Sequence, residues 1–168
     1  DIVEENLAIN SKDYKMLKNN ITTVINAGAL VKHFGISKLF NDINVKGTEN
    51  VVEFCKKENK RLIHISTISV SGNGEKEETV EETTENINSK KIFKESDLYI
   101  GQNISGIYTI TKFEAEKIVL KAIKSGLNAQ ILRMGNITNR YSDGAFQENF
   151  NDNAFLNSTW YIEFSKLL

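Results

Sequence analysis

The chain has 168 residues, enough for one domain with a substantial core. Its 21 basic and 22 acidic residues leave a net charge of -1, which gives no support for a nucleic-acid partner or a polybasic membrane surface. No apolar run approaches the roughly 18 residues of a membrane-spanning helix, and no signal-peptide pattern opens the chain. We therefore predict a cytoplasmic protein with no nucleic-acid or membrane partner.

The first half of the chain alternates between strand and helix patterns. Residues 1–3 have the pattern of a strand end, and residues 11–17 that of a short helix capped by Ser11. Residues 21–29 form a β-rich run that ends in small side chains. Helical periodicity over residues 35–59 then predicts one buried stripe, made of Phe40, Ile43, Gly47, Val51 and Cys55.

The second half repeats the alternation. Residues 61–70 predict a buried strand, and the polar residues 72–97 predict a solvated loop. A helix over residues 108–125 is stopped by Gly126, and residues 128–136 predict a third strand. This order is typical of an α/β fold, a parallel sheet with crossover helices.

Ligands of such sheets bind at the carboxyl ends of the strands. We therefore expect residues 26–29, 66–71 and 134–136 to surround one crevice. Three features converge there: a Tyr108/Lys112 pair, the hydroxyl-rich strand end of residues 66–69, and Asn44 on the buried helical stripe. A buried amide must form hydrogen bonds, so Asn44 is expected to bind something.

Lys112 lies on the predicted buried face of its helix, one turn after Tyr108. Taking an unpaired ammonium out of water is costly, so such a lysine is usually paired, snorkelling or functional. A nearby positive charge favours the ionised form of a phenol, which suits Tyr108 to exchange a proton with a substrate oxygen. His33 and His64 are expected to be structural, and we predict no metal site.

Five segments together resemble the extended type of the short-chain dehydrogenase/reductase superfamily. Their order, spacing and content agree with it: ITTVINAGA, INVKGTENVVEF, IHISTISVSG, YTITK and ILRMGNIT. Four segments resemble more narrowly the thioester reductase domains of nonribosomal peptide synthetases, with their fatty acyl and carboxylic acid reductase relatives: INAGALVKHFG, STISVSG, DLYIGQ and RMGNITNRYSDGAFQ. The resemblance covers nearly the whole chain.

The resemblance implies a Rossmann-type fold, NADPH (NADP) as hydride donor, and a catalytic triad of Thr67, Tyr108 and Lys112. It further implies an acyl or peptidyl substrate on the phosphopantetheine arm of a carrier protein, released as an aldehyde or alcohol. Besides Tyr108 and Lys112, the residues that match cofactor-binding positions of the family are Asp1, Ile2, Asn26, Ala27, Gly28, Ala29, Asn44, Met134, Gly135 and Asn136.

The family's glycine-rich phosphate loop has no counterpart near the start of the chain. We therefore expect residues 1–168 to be the central part of one NAD(P)-binding reductase domain, without that loop and without most of the C-terminal substrate-binding part. Such a segment is expected to be inactive in isolation, with an exposed sheet edge that allows self-association.

Two other interpretations stay open. A nucleotide-sugar epimerase or dehydratase of the extended type would share Thr67, Tyr108 and Lys112. A non-catalytic dinucleotide sensor or scaffold would share the fold, although such proteins commonly lose the tyrosine or the lysine.

Overall fold

The computed structural model describes residues 1–32, 35–72, 92–136, 140 and 142–143. Backbone contacts divide the chain into two compact units, Asp1–Arg133 and Met134–Leu168. The four α-helices of the described residues are α1 (Ser11–Asn20), α2 (Ser37–Phe40), α3 (Gly47–Lys57) and α4 (Ile107–Lys124). The three strands there are β1 (Thr23–Asn26), β2 (Arg61–Thr67) and β3 (Ala129–Met134).

The strands form one parallel sheet in the order β1-β2-β3, which confirms the predicted Rossmann-type α/β class. β1 pairs with β2 from Thr23 opposite Arg61 to Asn26 opposite His64. The two strands run in the same direction, so the residues after Asn26 leave the sheet on the side where β2 approaches Thr67.

The long helix predicted over residues 35–59 is present, in three segments. A π-helical segment, Asn41–Lys46, joins α2 to α3 without a break in helical dihedral angles at its two ends. Asn44 lies within this segment and is 1% exposed. The predicted stripe is confirmed, since Phe40, Gly47, Val51 and Cys55 are buried and Ile43 is partly buried.

The hydrophobic core lies between the sheet and the helices α3 and α4. Its buried members are Val51, Val52, Phe54, Cys55, Leu62, Val119, Ala122 and Leu127. Side chains on the other face of the sheet are more open: Ile25 is 65% exposed and Leu132 is 43% exposed. Alternate residues of β1 and β3 therefore face a packed helical layer and a more open surface.

Several predicted boundaries were wrong. Residues 1–3 form a turn, not a strand end. The cap of α1 is Asn10, whose Oδ1 accepts from the main-chain nitrogen of Asp13 at 3.0 Å, so Ser11 is already helical. β2 ends at Thr67, and a 3-10 turn, Ile68–Ser71, follows it. Residues 73–91 of the predicted 72–97 loop, His33 and the chain after residue 143 lie outside the described residues.

Within the second unit, the guanidinium of Arg140 forms an ion pair with the carboxylate of Asp143. Across the ranges described above, no helix is both long and apolar enough to cross a membrane.

Candidate active site

Thr67 and Tyr108 meet at the carboxyl end of β2. Thr67 is the last residue of the strand and is buried, while Tyr108 lies half-buried in the first turn of α4. Burial raises the pKa of the Tyr108 phenol, and the neighbouring Thr67 side chain acts on it in the opposite direction. Tyr108 is therefore a neutral phenol at pH 7, able to donate a proton.

The position of Thr67 is fixed by the turn that follows it. Its Oγ1 accepts from the main-chain nitrogen of Ser69 at 3.2 Å and lies 3.2 Å from the Ser69 hydroxyl. This cap holds the start of the 3-10 turn Ile68–Ser71. The threonine side chain is thus restrained by its own turn.

Lys112 is buried, as its wheel position predicted, and is only 3% exposed. Its Nζ donates a 2.6 Å hydrogen bond to the main-chain oxygen of Ile65 on β2. Burial lowers the pKa of Lys112 to about 8, and the carboxylate of Glu116 opposes that shift. The expectation that Lys112 would lower the pKa of Tyr108 is not met in this state, where burial of the phenol dominates.

The Asn44 side chain forms its hydrogen bonds with the main chain of Leu30 and with helix α4, away from solvent. Its Oδ1 accepts from the Leu30 nitrogen at 2.7 Å, and its Nδ2 donates to the Leu30 oxygen at 3.1 Å and to Thr111 Oγ1 at 2.9 Å. The amide therefore clamps the chain segment after β1 to the first turns of α4. This arrangement makes Asn44 a positioning residue of the crevice, and its predicted direct cofactor contact stays a prediction.

Asn26 also turns its side chain inward. Its Nδ2 lies 3.2 Å from His64 Nδ1 and 3.4 Å from Thr48 Oγ1, and all three residues are buried. Burial, with the nearby Lys112 charge as a smaller cause, lowers the pKa of His64 to about 3, so this histidine is neutral and structural, as predicted. The predicted cofactor contact of Asn26 stays a prediction.

The predicted cofactor segments at the chain start and after β1 come together. An ideal Cβ on Gly28 would lie 3.2 Å from Ile2 Cδ1, and one on Gly47 would lie 2.7 Å from the same atom. Ile2 thus packs against two glycines. The main chain of residues 27–29 is accessible, because Ala27 and Gly28 are exposed and Ala29 is partly buried.

The other predicted cofactor residues are exposed. Asp1 is exposed, and its Oδ1 accepts from the Val3 nitrogen at 3.0 Å. Met134, Gly135 and Asn136 are exposed and belong to the second unit, so their predicted role stays a prediction. No group of three or more His, Cys, Asp or Glu side chains that could hold a metal occurs among the residues with a described placement.

Sequence reasoning missed two buried residues of the site, Thr111 and Glu116, and the partner of Glu116. The Thr111 hydroxyl accepts a hydrogen bond from the Asn44 amide. The same hydroxyl donates to the carbonyl oxygens of Ile107 and Tyr108, which both lie 2.9 Å away. Glu116 is 0% exposed and is paired with Arg133 at 2.8 Å. Glu116 follows Lys112 by one helical turn on the same face. A helical wheel of the sequence could therefore have predicted that Glu116 is buried near Lys112.

The fold and this arrangement define an extended short-chain dehydrogenase/reductase. The chain belongs to the NAD-binding family described as Male sterility protein, whose model matches residues 1–159. This assignment confirms the resemblance drawn from the sequence motifs.

Three relatives illustrate the similarity. A thiolation-reductase di-domain from an archaeal non-ribosomal peptide synthetase superposes with a TM-score of 0.72 and 37% identity, over 95% of this chain and 40% of that chain. A Drosophila melanogaster protein named as a fatty acyl-CoA reductase is 28% identical, over 82% of this chain and 29% of its own length. A linear gramicidin synthase polypeptide of Brevibacillus parabrevis is 27% identical, over 88% of this chain and 3% of its own length. The chain thus spans less than half of each relative.

Proposed function

We propose that residues 1–168 are the central part of an NADPH-dependent thioester reductase domain that releases an acyl or peptidyl chain from a carrier protein as an aldehyde or alcohol. The observation that carries the proposal is the placement of Tyr108 next to Thr67 at the end of β2, with the buried ammonium of Lys112 bonded to the same strand at Ile65. The family and its synthetase relatives favour this function over the epimerase, dehydratase and non-catalytic sensor alternatives.

The residues around the carboxyl ends of β1 and β2 suit a nicotinamide dinucleotide. The exposed main chain at Ala27 and Gly28 offers a surface without bulky side chains, along which a flat ligand can lie. Tyr108 and Lys112 supply a hydroxyl and an ammonium of the kind that binds ribose hydroxyls. The bound cofactor would supply the hydride that reduces the thioester carbonyl carbon.

Tyr108 serves as the proton donor in this mechanism. As the carbonyl carbon is reduced, its oxygen becomes an oxyanion, which takes the phenolic proton and yields a thiohemiacetal. Thr67 donates a hydrogen bond to the same oxygen and orients it. The charge left on the Tyr108 oxygen is stabilised by the ammonium of Lys112 one turn away on α4.

Collapse of the thiohemiacetal completes the reaction. The hydroxyl proton returns to Tyr108, the carbonyl forms again and the carbon–sulfur bond breaks. The thiolate leaves on the pantetheine arm and takes a proton from water. One hydride and one proton are thus consumed for each aldehyde and thiol produced, and a second round on the aldehyde gives the alcohol.

The substrate class is tested by comparing two thioesters that share the pantetheine arm. The complete reductase domain that contains these residues would be given NADPH with an acyl chain on a carrier protein, and separately with the same acyl chain on coenzyme A. We expect aldehyde formation with a higher kcat/KM for the carrier-bound chain, and a higher kcat/KM for NADPH than for NADH.

The reverse preference for coenzyme A would favour the activity named for the Drosophila relative and overturn the carrier-protein partner. No aldehyde or alcohol from a panel of acyl thioesters, with NADPH binding demonstrated by fluorescence, would overturn the reductase proposal itself.

A further inference from the structure

Glu116 is a fully buried carboxylate on the same face of α4 as Lys112, one turn later. It is paired with Arg133 of β3 through three contacts: Arg133 Nε lies 3.1 and 3.2 Å from the two carboxylate oxygens, and Nη2 lies 2.8 Å from Oε2. Consecutive turns of α4 therefore hold a buried cation directed at β2 and a buried anion directed at β3.

Arg133 is itself held in place on its other side. Its Nη1 and Nη2 donate to the main-chain oxygens of Glu95 and Asp97 at 3.2 and 2.7 Å. Its guanidinium carbon lies 4.9 Å from the centre of the Phe93 ring. These contacts fix the guanidinium whether or not the carboxylate is present, so the orientation of Glu116 is set by a rigid partner.

Stability does not explain why such a pair is present. Desolvating two charges costs about as much as their attraction returns, and well-packed apolar side chains of similar volume are often as stable or more stable. A buried anion near a buried cation has another consequence, because its field acts through a poorly screening interior. The group that experiences this field is Lys112.

We propose that Glu116 is a positioning residue that keeps the side chain of Lys112 in its charged ammonium form, with Arg133 holding the Glu116 carboxylate in its orientation. The catalytic value of that charge depends on the reductase function proposed above. The electrostatic relationship between the two side chains does not.

The other groups around Lys112 leave Glu116 as the charge that can do this. His64, facing it from β2, is neutral because burial lowers its pKa to about 3. Tyr108, on the same helix, is uncharged because burial raises its pKa. The guanidinium of Arg133, which is paired with Glu116, is a cation and cannot favour the ammonium form of Lys112.

The test is a titration of the Lys112 side chain in the 168-residue chain by carbon-detected NMR, with the signal assigned by its loss in Lys112→Met. The wild-type midpoint is expected at pH about 8. Glu116→Gln, which preserves shape, is expected to move the midpoint to lower pH. The control is Glu114→Gln, which removes an exposed carboxylate paired with Lys117 on the same helix and is expected to leave the midpoint unchanged.

A folded Glu116→Gln chain with the wild-type midpoint would overturn the proposal. If that variant does not fold because Arg133 is left unpaired, the double variant Glu116→Gln with Arg133→Met removes both charges. Since Glu116 is the charge that raises the pKa of Lys112, the midpoint is again expected to fall. An unchanged midpoint in the double variant would be equally decisive against the proposal.

Activity of the complete reductase domain separates this proposal from the proposed function. If the charge of Lys112 is required, the alkaline decline of kcat moves to lower pH in Glu116→Gln in parallel with the NMR midpoint. A shifted NMR midpoint in a protein without reductase activity would leave the role of Glu116 standing and remove the proposed function. A shifted NMR midpoint with an unshifted kcat profile would remove the catalytic role of the charge.

Discussion

The ammonium of Lys112 crosses from α4 to β2 and donates a 2.6 Å hydrogen bond to the main-chain oxygen of Ile65. That oxygen lies two residues before Thr67, whose side chain acts on the pKa of Tyr108. One strand end therefore holds the lysine through its main chain and places a hydroxyl next to the tyrosine. The geometry of the site is set by the register between α4 and β2.

Lys112→Met is expected to stabilise the fold while removing function. The folded-state pKa of Lys112, about 8, lies below its ordinary value of 10.5. Between these values the unfolded chain binds more protons, so the cost of burying the ammonium is present in full below pH 8 and disappears as pH rises to 10.5. We expect Lys112→Met to raise the free energy of unfolding at pH 7 by about 1 to 3 kcal/mol.

Urea denaturation of both chains at pH 7 and at pH 10 would measure this difference, which should be smaller at the higher pH. Lys117→Met, at an exposed site on the same helix, is the control and should change stability little. A Lys112→Met chain less stable than the wild type at pH 7 would show that the bond to Ile65 outweighs the desolvation cost.

His64 is expected to make the fold sensitive to mild acid. Its folded-state pKa of about 3 lies below its ordinary value of 6.5, so the unfolded chain binds the extra proton as pH falls through 6.5. The slope is about 1.4 kcal/mol per pH unit, which predicts a loss of about 2 kcal/mol between pH 6.5 and 5. Denaturation midpoints across this window measure it. His64→Asn should make the free energy of unfolding depend less on pH. If the stability of this variant falls as steeply as that of the wild type, groups other than His64 cause the acid sensitivity.

Asn44→Ala is expected to destabilise the chain by about 2 to 4 kcal/mol, because it removes three hydrogen bonds and leaves main-chain groups of Leu30 without their partner. Asn41→Ala, at an exposed position of the same π-helical segment, is the matched control with an expected change below about 0.5 kcal/mol. Thermal unfolding of the two variants measures both losses of stability. Equal losses would mean that the hydrogen bonds of Asn44 add no stability beyond that of an exposed asparagine.

Gly47→Ala is expected to destabilise by about 1 to 3 kcal/mol, because the new methyl group would lie 2.7 Å from Ile2 Cδ1 and 2.9 Å from Ile2 Cγ1. Ile2→Ala should suppress most of this cost, so a double-mutant cycle should show strong coupling. Gly135→Ala, where an added Cβ meets nothing within 4 Å, is the control. Additive effects of the Gly47 and Ile2 changes would contradict the packing described here.

The periodic parts of the fold were predictable from sequence. Alternation of strand and helix patterns indicated the parallel sheet, and the wheel position of Lys112 correctly predicted its burial. Both follow from local spacing, which the side-chain periods of 2 and 3.6 residues determine. The short turn at residues 1–3 has no period, so it was interpreted as a strand end.

The connections within the site were not predictable in the same way. That Asn44 would bind something followed from its burial, but its partner, Leu30, is 14 residues away and depends on how the loop after β1 returns. The Glu116–Arg133 pair joins a helix to the next strand and requires their relative orientation. The pKa of Tyr108 was expected to fall, but the extent of its burial is a tertiary property and raises the pKa instead.

The most direct test of the central claim is the rate of NADPH oxidation by the complete reductase domain, with saturating acyl-carrier thioester, for the wild type, Tyr108→Phe and Tyr99→Phe. Tyr99 is 65% exposed and loses the same hydroxyl, which makes it the matched control. If Tyr108 donates the proton, Tyr108→Phe lowers kcat by about 10² to 10⁴ at saturating NADPH, and Tyr99→Phe keeps the wild-type rate. A Tyr108→Phe enzyme that turns over at the wild-type rate would contradict the account.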